Sequence, residues 1–94
     1  MNKKISSKHS WVFPQDIHFT FATDFISTFN KLDPASSYVF DLSRTVSLPS
    51  SFIGFLICVK NTIEDNRGSL EIILSDTVKR IFSLMNLLDF FPEQ

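Results

Sequence analysis

The sequence is poor in cysteine, in glycine and in net charge, and each shortage excludes a class of function. The single cysteine, Cys58, can neither close a disulfide within the chain nor build a zinc centre. Two glycines, Gly54 and Gly68, leave no Gly-rich phosphate loop, so turns must be built from Pro, Asn, Asp and Ser. Nine Lys and Arg against ten Asp and Glu give a net charge of -1, without the clustered basic face that nucleic-acid binding requires. The longest apolar run, residues 52–59, is well short of the roughly 20 residues that cross a membrane, so direct membrane insertion is not expected. The opening residues 1–10 are polar and basic with no apolar core after them, which makes a cytoplasmic domain the expectation.

What is present is a globular balance, 44% hydrophobic and 20% charged, in 94 residues that suffice for one domain. Eleven Phe stand against one Tyr and one Trp, which predicts a core filled with large rings. After the lead-in of residues 1–10, where a short edge strand is expected around Ile5, Trp11, Val12 and Phe13 read as a strand ended by Pro14. Ile17 and Phe19 alternate with His18 and Thr20, which extends that strand or starts another. The period then becomes helical: Phe21, Ala22, Phe25, Ile26, Phe29 and Leu32 share a face, with Thr20 as N-cap and Asp33-Pro34 as the stop. Residues 38–42 form a buried central strand, and residues 50–65 a largely buried helix capped by Ser50 or Ser51 and left at Gly68. Residues 70–74 are a further strand, and Ser75 caps a last helix whose stripe is Val78, Ile81, Phe82 and Met85. Strand and helix alternate three times, the pattern of an α/β domain with a mainly parallel sheet.

No residue set reads as catalytic. His9 and His18 are far apart and lack clustered acids, so both are expected to be solvated surface residues. Cys58, inside an apolar stretch, is expected to be a small buried thiol. Asp41 ends a strand, where open α/β sheets place ligand-facing groups, and where an Asp equally well hydrogen-bonds the turn that follows. Ser50 and Ser51 sit where a loop enters a buried helix. One reading makes them caps; the other makes them a phosphorylation switch, since a helix N-terminus accommodates a phosphate within its own fold.

The stretch Tyr38-Val39-Phe40-Asp41-Leu42-Ser43, followed by Ser50-Ser51-Phe52-Ile53-Gly54-Phe55-Leu56, resembles the STAS domain of bacterial anti-sigma factor antagonists. That family shows an apolar strand ending in Asp-Leu-Ser, then Asp-Ser-Ser-Gly-Leu-Gly opening a helix. Its Gly-rich turn, strand, Ser-led helix and Leu/Phe-rich tail are similar to Asn66-Arg67-Gly68, residues 70–74, residues 75–80 and residues 87–91. The likeness covers residues 38–92 with consistent spacing. Two positions depart from it: Pro49 stands for the acid before the first Ser, and Phe52 for the Gly after the second. The resemblance implies a mixed four- to five-stranded sheet with helices packed mainly on one side, no catalysis, no cofactor and no metal. It implies partner switching: the unphosphorylated protein binds an anti-sigma factor that is also a serine kinase, phosphorylation ends the binding, and a metal-dependent serine phosphatase restores it. Carried over by position, the phosphoacceptors are Ser50 and Ser51, and the partner surface gathers Asp41, Ser43, Pro49, Ser50, Ser51 and Phe52. The Phe52 ring would either cover the acceptor or enlarge an apolar partner surface. A constitutive STAS adaptor subunit of a signalling or lipid-transport complex is the alternative, and an exposed Phe patch would suit a homodimer.

Overall fold

The computed structural model describes residues 8–91, and in them strand and helix alternate as the periodicity predicts. The elements are β1 (Lys8–Val12), α1 (Phe19–Phe29), β2 (Ser37–Leu42), α2 (Ser50–Asp65), β3 (Ser69–Leu74) and α3 (Asp76–Leu84). The sheet has the order β1-β2-β3, with both pairings parallel, so β2 is central. The expected fourth or fifth strand is not found among the described residues, and the strand expected around Ile5 lies outside them. The sheet described is therefore parallel throughout rather than mixed.

Burial alternates strictly along β2. Tyr38, Phe40 and Leu42 are buried, whereas Ser37, Val39 and Asp41 are half-buried. Neighbouring side chains on a strand point to opposite faces, so one face of the sheet packs into the core and the other is less covered. Parallel register aligns Trp11, Phe40 and Ile72 on the covered face. There the Phe-rich composition finds its place: Phe13 meets Phe25 at 5.0 Å, Phe40 at 5.6 Å and Phe52 at 5.6 Å between ring centroids, each pair steeply tilted. Such edge-to-face contacts suit the ring quadrupole. In α2 the residues Phe52, Leu56, Val59 and Ile63 recur at helical spacing and are all buried.

Several element boundaries differ from the pattern-based expectation. Helix α1 starts at Phe19, and the residue at its cap position, His18, makes no side-chain cap; Thr20 lies inside the first turn. Ile17 is buried but sits in the loop, and Asp16 makes only an isolated bridge to Ser47. Cys58 is exposed rather than buried, because it falls off the 52/56/59/63 stripe. Met85, expected on the α3 stripe, is also exposed, while Val78 and Phe82 are buried. His9 is half-buried and stacks on Tyr38 at 5.0 Å, so it is not the free surface residue expected; His18 is exposed.

The exit of α2 shows why a glycine stands at 68. The left-handed residue is Arg67, with φ 64°, while the Gly68 N–H donates to the Ile63 carbonyl at 2.8 Å. A Cβ at Gly68 would stand 2.3 Å from the Pro34 oxygen and 2.6 Å from the Ser36 oxygen. Close backbone approach, not positive φ, requires the glycine. At the other end Ser75 caps α3 as expected, its hydroxyl accepting from the Val78 N–H at 3.0 Å. The tail docks through Phe91, buried and 5.2 Å from Phe82. Among the described residues no helix is long and apolar enough to cross a membrane.

Candidate functional site

The loops that follow the three strands meet at one end of the sheet, the end where open parallel sheets carry their sites. Thr45 joins them. Its side chain is fully buried, and its Oγ1 donates to the Pro14 carbonyl, after β1, at 2.8 Å. Its own carbonyl accepts from the Ser75 hydroxyl, after β3, at 2.5 Å. The next residues extend the lacing: Val46 N–H donates to Gln15 at 2.8 Å, Ile17 N–H to Ser47 at 2.9 Å, and the Ser47 hydroxyl to the Asp16 carboxylate at 2.8 Å. The segment leading into α2 is thus fixed on both sides. Thr45 was not singled out by sequence, since nothing local marks it; its burial arises from loops that converge only in the fold.

That fixed segment delivers Pro49, half-buried and extended, to the cap position of α2, where its carbonyl accepts from the Phe52 N–H at 2.9 Å. Ser50 and Ser51 follow as the first two helical residues, and both are exposed. Neither caps the helix, contrary to the capping expectation. A capping hydroxyl belongs on the extended residue before the first turn, and proline occupies that place. Both hydroxyls therefore face outward from the first turn of a 16-residue helix, and no acid stands in that turn.

Asp41 takes the turn-forming alternative. Its Oδ1 accepts from the Ser43 N–H at 2.9 Å. Bonds from the Ser43 side chain and from the Ser43 backbone hold the carboxyl below its ordinary value, against a smaller effect of burial and with help from Arg44. Asp41 lies in register with Val12 and Ile73 on the less covered face of the sheet, and Ser43 is exposed just beyond it.

Phe52 departs from both roles the resemblance suggested. Its ring is fully buried among Phe13, Phe55 and Phe25, at 5.6, 5.7 and 6.3 Å, so it neither covers Ser50 nor adds to an outer surface. The stripe of α2 decides this, because Phe52 is its first member. Of the six residues expected at the partner surface, Ser43, Ser50 and Ser51 are exposed, Asp41 and Pro49 are half-buried, and Phe52 belongs to the core.

Among the described residues no hydrogen bond joins Ser50 or Ser51 to a His, Asp or Glu. No group of three His, Cys, Asp or Glu is placed to hold a metal ion among them either. Comparison of the sequence with models of protein families finds no match, and no curated protein matches it.

Proposed function

We propose that this chain is a non-catalytic, STAS-like partner-switching regulator that acts in the cytoplasm. In its unphosphorylated form it binds an anti-sigma factor or related serine kinase, and phosphorylation at Ser50 or Ser51 releases it. The observation that carries the reading is the exposure of both hydroxyls on the first turn of α2, at the end of a loop laced to its neighbours. A phosphate there lies at the positive end of the helix dipole, with no acid in the first turn to oppose it. The fold accepts the charge, and the cost falls on the partner. Burying a phosphate charge in an interface shaped for a neutral hydroxyl weakens binding by about 3 kcal/mol, on the order of a hundredfold. The three parallel strands, with Asp41 next to the last residue of the central one, are the framework on which this reading rests.

The test is intact-mass spectrometry of the protein from its own cells, with peptide mapping of residues 43–60. One added phosphate on Ser50 or Ser51 supports the switch. Its absence under several growth conditions favours the second reading, a constitutive STAS adaptor, for which Pro49 in place of the family's acid is the specific observation.

A further inference from the structure

We propose that Gly54 is a contact residue for the kinase that acts on Ser50 or Ser51: its missing side chain lets the main chain of that kinase lie against α2 one turn beyond the acceptor. The inference rests on the phosphorylation reading above and adds a specificity-determining residue to the same site.

Gly54 is the fifth residue of a 16-residue helix. A glycine inside a helix is destabilising relative to alanine, because more backbone freedom is lost when it is fixed. A fold accepts that loss where it needs a positive φ or a close approach of other atoms. Gly68 shows the second case, with the Pro34 and Ser36 carbonyl oxygens where its Cβ would stand. Gly54 shows neither. No described glycine has a positive φ, and a Cβ at Gly54 would meet nothing within 4 Å. The residue is exposed, off the buried stripe of Phe52, Leu56, Val59 and Ile63. Nothing among the described residues therefore requires a glycine there.

Its place on the helix points to what does. Residues three and four apart share a helix face, so Gly54 stands one turn along from both Ser51 and Ser50. All three are exposed. With no side chain at 54, the nearest surface a partner meets beyond the serines is the main chain of α2 itself. A kinase segment crossing at Gly54 brings its bound ATP to the hydroxyls on the same face. In the transfer, the serine Oγ bonds to the γ-phosphorus, the bond from that phosphorus to the ADP oxygen breaks, and the hydroxyl proton leaves to a base on the kinase. Among the described residues no hydrogen bond joins either serine to a His, Asp or Glu, so the base is the kinase's to supply. A side chain at 54 would hold the two surfaces apart where acceptor and phosphate must be in line.

The test follows purified, unphosphorylated protein in a lysate of its own cells supplied with ATP and Mg²⁺. Mass spectrometry reads the initial rate at which phosphate appears on Ser50 or Ser51. Gly54→Leu is expected to slow that rate by about tenfold, and Gly54→Ala by less. Gly54→Ala should at the same time melt higher than wild type, a gain in stability set against a loss of function. Asn61→Ala, exposed and seven residues further along α2, also brings in a better helix former and is expected to keep the wild-type rate. Should Gly54→Leu fold poorly by circular dichroism, Gly54→Ala decides the matter. Wild-type rates in the folded Gly54 variants overturn the inference and leave the phosphorylation reading standing. Equal slowing in Asn61→Ala overturns it too, by assigning the effect to helix stability. Wild-type protein that gains no phosphate overturns the reading itself, and the inference with it.

Discussion

The Thr45 hydroxyl donates to the Pro14 carbonyl across 31 residues of chain, and this one bond ties the loop that delivers Ser50 to the end of the first strand. Thr45→Val keeps the shape and removes the donor, leaving a part-buried carbonyl with one fewer partner. The expected cost is about 1–3 kcal/mol, read from the midpoint of a urea transition with an unchanged slope. Amide exchange is expected to quicken across residues 46–51, whereas an unchanged exchange pattern would mean the loop is held without Thr45.

The two glycines are expected to respond in opposite directions to alanine. Gly68→Ala drives a Cβ into the Pro34 and Ser36 carbonyls and should destabilise by more than about 2 kcal/mol. Gly54 lies on the exposed side of α2 with nothing within 4 Å of a Cβ, so Gly54→Ala should stabilise by about 0.5–1 kcal/mol. Thermal melts of the two variants side by side check both signs.

Charge at the start of α2 is expected to favour the fold. Ser50→Asp and Ser51→Asp each place an acid in a first turn that has none, which should raise stability by about 0.3–1 kcal/mol at low ionic strength, with the gain fading in salt. Under the proposed switch the same substitutions weaken partner binding. Lower stability in both variants would show that the turn cannot accept a phosphate.

Acid should act through Asp41. Its folded carboxyl titrates below the unfolded one, so the stability it contributes is fully present above the ordinary carboxylate value of about 4 and is lost as pH falls through the lower folded value. The stability gap between wild type and Asp41→Asn should therefore be constant at neutral pH and close below about pH 4. A carbon-detected titration should place the Asp41 midpoint below that of a model peptide.

The order of elements was legible because helix and strand periods differ enough to be told apart even in short segments. The first two helix starts were harder. Two Phe, at 19 and 21, straddle the beginning of α1 and satisfy either period, and neither His18 nor Pro49 carries a capping hydroxyl. Only Ser75, which does cap its helix, was read at its position. At the site, the exposure of Ser50 and Ser51 followed from their place before the buried stripe, yet Phe52 was misjudged because a ring next to a serine says nothing about which way the helix turns it. Thr45 was invisible for a different reason: the atoms it binds, on Pro14 and Ser75, lie about thirty residues away on either side.

The parallel arrangement bears on how the chain finds its structure. No hairpin exists in the described residues: Lys8 pairs with Ser37 and Ser37 with Ser69, so each strand contact spans a complete helix. Every such contact must first pay the entropy of closing a loop of about thirty residues, and high contact order of this kind slows folding for a given size. The sheet cannot zip outward from a tight turn. The rings of Phe13, Phe25 and Phe52 join β1's end to α1 and α2, and if that cluster forms early, core substitutions there will slow refolding in stopped-flow measurements more than changes in the loops do.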